Sequence, residues 1–385
     1  MDRFIYGNTT KVYFGKGCVQ EHLGGLLSGY GETVLLAYGG GSIRRNGIYD
    51  EIMGVLTAAG KRVVEFSGIM PNPTYAKVQE GAALARAEHV DLILAVGGGS
   101  VSDCCKIVAA QALLDEDIWA LENTKHERPA AALPLGVVVT AFGTGSEMND
   151  GGVITHEEKK IKGPLWGAQA AFAFLDPAYS LSVPMPQVLS GAFDTLSHAM
   201  ETYFGKPDEN NLSDDIGEAV MRSVIRNIRV LRTDPESYDA RSELAWASAM
   251  AENGILKIGK VTDFQCHMIE HQLGAYTDCN HGAGLAVLHP VLYRHIYRSG
   301  AARFARWAQN VWGVAPRGSD EETARAGIDA LADFIREIGL PTSFAELGIP
   351  ADTDLRAVAG STVLTPGCCR KLTHDEIYEI LTECR

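Results

Sequence analysis

The stretch "VDLILAVGGGSVSDCCKIVAAQALL" at residues 90–114 decides the fold. A mostly apolar run is followed by three glycines and then by a segment with helical apolar spacing, which predicts a strand, a tight turn and a helix. The same order occurs earlier, where "TVLLAY" at 33–38 precedes glycines and a helical pattern at 46–59. Strands that alternate with helices indicate a parallel sheet with helices on both faces.

The alternation continues with predicted strands at 61–66 and 135–141 and a predicted helix at 71–88. From residue 185 onward the segments carry helical apolar spacing and contain no convincing strand run. A chain of 385 residues also exceeds the size at which one core stops growing. We therefore predict an α/β domain with a Rossmann-like parallel sheet over residues 1–184 and an all-α domain over 185–385.

Composition excludes several classes of protein. A formal net charge of −14 argues against a general nucleic-acid or anionic-membrane surface. No stretch of about 18 to 20 uncharged apolar residues is present, and the N-terminus "MDRFIYGNTTKVYFGKG" lacks the order of a signal peptide. No CxxC occurs, which disfavours a thiolate zinc site. These features predict a cytoplasmic protein.

Three glycine-rich loops follow predicted strands, at 38–47, 96–106 and 140–150. Glycine between a strand and a helix lets backbone N–H groups approach an anion, and the helix start adds partial positive charge. Any one such loop is equally consistent with a tight turn. Three loops at the carboxyl ends of strands in one sheet favour a phosphate-bearing ligand, with a nucleotide as the leading candidate.

The first loop bears on the choice of nucleotide. Dinucleotide domains that select the ribose 2′-hydroxyl usually place a carboxylate beyond a strand. This loop has no carboxylate and is followed by Arg44 and Arg45, which suit a 2′-phosphate and favour NADP(H) over NAD(H). The alternative is that both arginines are solvated surface charges. The loop itself consists of Gly39, Gly40, Gly41 and Ser42.

Histidines and one carboxylate recur at helical spacing in the second half. Asp194 and His198 are four positions apart, as are His267 and His271, so each pair shares a helix face. His281 follows and could close a site from a loop or helix start. A single histidine on an apolar face is more often a core residue, but the combined pattern favours a divalent metal such as Fe²⁺ or Zn²⁺.

At these residues the sequence resembles a known family. The segments "VGGGSVSDCCK", "TAFGTGSEMN", "GAFDTLSHAMETYF" and "HMIEHQLGAYTDCNHGAGLAVLHP" are similar to the iron-containing (group III) alcohol dehydrogenases, especially the butanol dehydrogenase-like, broad-range aldehyde reductase branch. The resemblance implies the fold shared with dehydroquinate synthase and a homodimer. It also implies hydride transfer between NADP(H) and a small or medium aliphatic alcohol or aldehyde.

The resemblance also assigns roles to individual residues. One divalent metal, with Fe²⁺ favoured over Zn²⁺, is expected on Asp194, His198, His267 and His281. His271 matches the histidine thought to relay a proton beside the nicotinamide. In addition to the first loop with Arg44 and Arg45, the expected cofactor contacts are Gly97, Gly98, Gly99, Ser100, Asp103, Thr140, Thr144, Ser146 and Lys160.

Two other interpretations remain open. Glycerol dehydrogenases and dehydroquinate synthases resemble this architecture and bind zinc through three protein ligands, whereas His267 supplies a fourth candidate here. A non-catalytic nucleotide-binding protein of the same fold would be expected to lack a metal ligand or to have a broken glycine loop. The sequence has neither defect.

Overall fold

The computed structural model describes residues 3–207, 209–367 and 369–385. In these residues the chain divides into two units: Gly7–Val183, and Pro184–Arg385 together with residues 3–6. Within the described residues, no helix combines the length and the apolar character needed to span a bilayer.

The first unit contains a parallel sheet with the strand order β1-β8-β5-β4-β2-β3 and a separate antiparallel hairpin of β6 and β7. The strands are β1 Lys11–Phe14, β2 Thr33–Tyr38, β3 Arg62–Phe66, β4 Leu92–Gly97, β5 Leu135–Val139, β6 Gly151–His156, β7 Ile161–Trp166 and β8 Phe172–Leu175. Every residue of β2, β4 and β5 is buried. Burial on both faces explains why these strands appear in the sequence as continuous apolar runs.

The helices of this unit follow its strands, as the alternating pattern predicts. They are α1 Cys18–Leu27, α2 Ser42–Arg45, α3 Ile48–Ala58, α4 Tyr75–Ala87, α5 Gly99–Gln111 and α6 Ile118–Asn123. α4 begins later than predicted because Thr74 is its N-cap and accepts a hydrogen bond from the backbone N–H of Lys77 at 3.2 Å. Apolar side chains from α1 and α3 and from the sheet form one buried cluster.

The second unit is built from helices around a single apolar core. They are α7 Met185–Tyr203, α8 Leu212–Thr233, α9 Tyr238–Glu252, α10 Gln265–Thr277, α11 His281–Ile296, α12 Ala301–Asn310, α13 Asp320–Ile338, α14 Phe344–Leu347, α15 Leu355–Ser361 and α16 His374–Glu383. The long helix α7 packs against both α8 and α11. The predicted fold class, a parallel α/β sheet plus a helical part, is confirmed.

Candidate metal centre and cofactor loops

Three helices of the second unit carry the predicted metal ligands. Asp194 and His198 lie one turn apart on α7, His267 lies on α10, and His281 is the first residue of α11. α10 ends at Thr277 and is followed by its C-cap Asp278, whose φ of 53° is left-handed. Asn280 then caps α11 by accepting a hydrogen bond from Ala283 N–H at 3.1 Å. The short turn between the helices therefore places His281 at the start of α11.

Gly282 allows α11 to approach α7 closely. A Cβ atom at this position would lie 2.2 Å from the carbonyl oxygen of Ser190 on α7. Only glycine leaves room for such an approach between a helix and a neighbouring backbone. The glycine that follows His281 is therefore needed to bring that imidazole toward the ligands on α7.

Asp194 lies at the centre of the cluster. Its Oδ1 atom is 3.4 Å from Nε2 of His267 and 3.5 Å from Nε2 of His281. One donor atom from each of these three residues lies within 4.8 Å of the others, which is the arrangement expected of ligands that share an ion. His198 lies beside this group: its Nδ1 is 3.8 Å from Asp194 Oδ1, and its ring stacks on His267 with centroids 4.6 Å apart.

The polar atoms in this cluster fit a cation. Asp194 Oδ1, His267 Nε2 and His198 Nδ1 are buried and have no hydrogen-bond partner in the described part of the chain. A buried polar atom without a partner costs free energy. A divalent ion coordinated by these atoms would remove that cost, and a set of one carboxylate with imidazoles suits first-row metals such as Fe²⁺ and Zn²⁺.

The charges in the cluster are strongly coupled. Burial by itself raises the pKa of Asp194, but the neighbouring His198 and His281 imidazoles outweigh it and hold that pKa well below its usual value. For His267 burial lowers the pKa, yet the charges of Glu201 and Asp194 raise it to about 10. Metal binding at these residues would therefore compete with protonation of His267.

Two carboxylates that the sequence did not reveal orient the histidines. Nδ1 of His267 is hydrogen-bonded to Glu201, and Nδ1 of His281 is hydrogen-bonded to Glu270. Each bond fixes the tautomer and leaves Nε2 directed at Asp194, as is common for metal-binding histidines. Glu201 lies three positions after His198, and Glu270 lies three positions after His267. Each carboxylate therefore shares a helix face with a predicted ligand, and this spacing is the signal in the sequence that could have identified it.

We expect the Glu270→Gln variant to bind Fe²⁺ about 10- to 100-fold more weakly, because His281 loses the carboxylate that orients it. Metal titration of the apo-protein measures this change. The control is Glu218→Gln, since Glu218 is also buried but bonds Arg306 and Tyr203. Equal metal affinity in wild type and Glu270→Gln would contradict the orienting role.

His271 lies next to the cluster. It is 4% exposed, its ring stacks on His281 with centroids 5.5 Å apart, and it is nearly perpendicular to His267 at 6.0 Å. Together with Glu270 and His281 it forms a second group of potential ligands. This arrangement places an imidazole beside the three converging donor atoms.

In the first unit, the second and third glycine loops pack together. They follow the adjacent strands β4 and β5, and Thr140 N–H donates to the carbonyl of Gly97 at 2.9 Å. A Cβ atom on Gly99 would lie 2.4 Å from the side chain of Thr144. Gly97 to Ser100 and Thr140 to Ser146 therefore form one continuous edge at the carboxyl ends of these strands.

Asp103 supports this edge from within the protein. It is buried, is hydrogen-bonded to the Ser146 hydroxyl and accepts from the backbone N–H of Val153 at 2.9 Å. The buried Lys106 continues the network by donating to Asn149 Oδ1 at 2.8 Å. The structure thus places Asp103 and Ser146 in the framework that joins α5 to the third loop.

The first loop, Gly39 to Ser42, follows β2 and leads into α2. Arg45 is exposed, whereas Arg44 forms an ion pair with Glu65 of β3 in which Nη2 and Oε2 are 2.5 Å apart. The loop itself lacks a carboxylate, but the neighbouring strand provides one. Sequence reasoning missed Glu65 because helix α3 lies between Arg44 and β3 in the chain.

Lys160 lies in the turn between β6 and β7, where it is exposed and has a left-handed φ of 52°. It is not on one of the loops that follow the parallel strands. Two residues later, Lys162 on β7 is buried. The assignment of a cofactor contact to Lys160 stays a prediction.

Comparison with known proteins identifies the family. The model of the iron-containing alcohol dehydrogenases matches residues 9–177, and the model of the C-terminal part of the Fe-containing alcohol dehydrogenase family matches residues 188–384. The chain is 39% identical over 387 residues to the probable NADH-dependent butanol dehydrogenase 1 of Bacillus subtilis, with 99% of each chain covered. It therefore belongs to the iron-containing alcohol dehydrogenase family, and the resemblance inferred from its motifs is confirmed.

Two further relatives show the range of the similarity. The NADPH-dependent aldehyde reductase YqhD of Escherichia coli is 34% identical over 356 residues, which cover 91% of this chain and 90% of that protein. The crystal structure of NADH-dependent butanol dehydrogenase A from Thermotoga maritima is similar with a TM-score of 0.94 and 35% identity, covering 100% of this chain and 99% of that one. Membership of the family makes the chain an oxidoreductase of the alcohol dehydrogenase and aldehyde reductase type and implies a metal and a nicotinamide cofactor.

Proposed function

We propose that this protein is a metal-dependent alcohol dehydrogenase that transfers hydride between NADP(H) and a small or medium aliphatic alcohol or aldehyde. The observation that carries the proposal is the convergence of Asp194, His267 and His281, whose facing atoms lie within 4.8 Å of one another. The names of the relatives from Bacillus subtilis and Escherichia coli support the butanol and aldehyde substrates.

The proposed metal ligands are Asp194, His198, His267 and His281, with Glu201 and Glu270 orienting two of the imidazoles. When bound, the metal supplies Lewis-acid polarisation of an oxygen and the nicotinamide supplies or accepts hydride. The oxygen and nitrogen donors favour Fe²⁺ and also accommodate Zn²⁺. Asp194, His198 and His267 are buried, whereas the His281 side chain is 25% exposed.

His271 is proposed as the residue that exchanges a proton with the substrate oxygen. Histidine is the side chain best suited to this task near neutral pH. Its ring lies 5.5 Å from that of His281 and is almost fully buried. A proton held at a ring nitrogen of His271 would therefore lie next to the group of proposed metal ligands.

The preference for NADP(H) is proposed from Arg44 and Arg45, which follow a glycine loop that has no carboxylate of its own. NAD(H) is the runner-up, because relatives are named NADH-dependent as well as NADPH-dependent. The ion pair between Arg44 and Glu65 also favours this second possibility.

Protein purified without oxygen tests the proposal directly. We expect stoichiometric Fe²⁺, reduction of butanal that is faster with NADPH than with NADH, loss of activity on dialysis against a chelator, and recovery on addition of Fe²⁺. Full turnover in chelated protein would remove the metal from the mechanism. Faster oxidation of glycerol than reduction of butanal would instead favour a glycerol dehydrogenase-like zinc enzyme.

A homodimer in the cytoplasm completes the proposal. β1 lies at one end of the sheet order, and an edge strand can pair with a strand of a second chain. Light scattering that gives the mass of a single chain would remove the dimer from the proposal.

A further inference from the structure

We infer that Glu65 determines how strongly the protein distinguishes NADP(H) from NAD(H), by holding Arg44 in a neutralised pair. The inference rests on the proposed function, because it assigns Arg44 to the ribose 2′-phosphate. Glu65 is a positioning residue in this scheme, since it acts through the guanidinium group.

Arg44 is held on two sides. Its Nη2 atom is 2.5 Å from Glu65 Oε2 and donates to the Tyr38 hydroxyl at 2.7 Å. Its guanidinium carbon lies 3.7 Å from the ring centroid of Tyr49, which is close enough for a cation–π contact. The guanidinium is thus paired with a carboxylate and packed on an aromatic ring.

Glu65 is itself fixed by two tyrosines. The Tyr38 hydroxyl donates to Oε2 at 2.5 Å and the Tyr49 hydroxyl donates to Oε1 at 2.7 Å. These bonds, led by the one from Tyr38, lower the pKa of Glu65 despite partial burial. The carboxylate is therefore charged at neutral pH and does not turn freely away from Arg44.

This cluster lies against the first glycine loop. Tyr38 is the last residue of β2 and directly precedes Gly39. β3 pairs with β2 so that Glu65 is opposite Leu36. Beyond β3, Gly68 N–H donates to the carbonyl of Gly39 at 3.1 Å. The neighbouring strand thus brings a carboxylate beside the first glycine loop, and a carboxylate is the group that dinucleotide domains use to bind a ribose 2′-hydroxyl.

The consequence for cofactor choice follows from charge. A 2′-phosphate needs the guanidinium of Arg44, but Glu65 competes for that group and repels the phosphate. A 2′-hydroxyl carries no charge and can donate to the carboxylate. The pair should therefore weaken the preference for the phosphorylated cofactor, whereas an Arg44 freed from Glu65 should strengthen that preference.

The experiment uses two fragments of the cofactors that cannot react. Adenosine 2′,5′-bisphosphate and adenosine 5′-monophosphate are titrated by calorimetry into wild type, Glu65→Gln, Arg44→Ala and the double variant. We expect Glu65→Gln to lower the Kd of the bisphosphate about five- to tenfold. The substitution removes one negative charge that repels the 2′-phosphate, and partial exposure to solvent keeps the effect of that charge moderate. The Kd of the monophosphate should change less than about twofold, because no 2′-phosphate is present.

The double variant isolates the coupling between the two residues. Arg44→Ala should raise the Kd of the bisphosphate much more in the Glu65→Gln background than in wild type. The same increase in both backgrounds would overturn the inference, because Arg44 would then act independently of Glu65.

A matched control is available on the same strand. Arg62 and Glu88 form an ion pair at the other end of β3, with side chains 47% and 40% exposed, compared with 47% and 41% for Arg44 and Glu65. Glu88→Gln should leave both Kd values unchanged. If the Kd of the bisphosphate is equal in wild type and Glu65→Gln, the inference is overturned and the proposed function is unaffected. If the wild-type protein binds neither NADPH nor NADH, both the inference and the proposed function are overturned.

Discussion

The His267→Ala variant is expected to purify without its metal and to lose kcat/KM for butanal by about 10³-fold or more. Nε2 of His267 is buried and lies 3.4 Å from Asp194 Oδ1, so the substitution removes one of the three converging donor atoms. Polarisation by a metal contributes several kcal/mol to stabilising the transition state, and each ~1.4 kcal/mol corresponds to a tenfold change in rate. Losing the ion should therefore remove metal content and activity together.

Metal analysis and steady-state kinetics on the same preparation measure this loss. His22→Ala is the control, because His22 is 40% exposed and lies in the other unit, beside Tyr13. The thermal midpoint should be recorded too, since Glu201 loses its imidazole partner in the variant. Unchanged metal stoichiometry would show that His267 is not a ligand.

The His271→Ala variant is expected to keep its metal and to lose kcat by about 10²- to 10⁴-fold, the usual contribution of a general acid or base. His271 stacks beside His281 but does not belong to the converging group of Asp194, His267 and His281. Metal retention combined with slow turnover would therefore separate a proton-transfer role from a ligand role.

The pH profile and chemical rescue make this test specific. If His271 carries the proton, the variant should change the pH profile of kcat, and added imidazole should restore part of the rate. A merely structural residue would show neither effect. Full activity across the pH range would exclude His271 from proton transfer, and loss of metal would instead assign it to the second ligand group with Glu270 and His281.

Much of the α/β unit could be predicted because its central strands are buried on both faces. β2 and β5 coincide with apolar runs noticed in the sequence, and the glycines after β2 and β4 marked the strand ends. β8 was missed because its four residues are too few to show a period, although it lies between β1 and β5. The hairpin of β6 and β7 was missed because its burial alternates irregularly.

For the metal site, the sequence revealed residue types but not their geometry. Spacing of four identified Asp194 with His198 and His267 with His271. Glu201 and Glu270 determine which nitrogen of His267 and His281 faces Asp194. Both carboxylates are buried by the packing of helices against one another, which local sequence patterns do not specify. Similarly, the partner of Arg44 depends on the pairing of β2 with β3, which local patterns do not specify.

The hydrogen bonds from His267 and His281 to Glu201 and Glu270 have a consequence for metal supply. Because both imidazoles are already locked in place without an ion, an empty site need not refold to be loaded. Imidazole ligands suit several first-row divalent ions, including iron and zinc. We therefore expect the ion found in a preparation to depend on the metals available during growth as well as on the ligands.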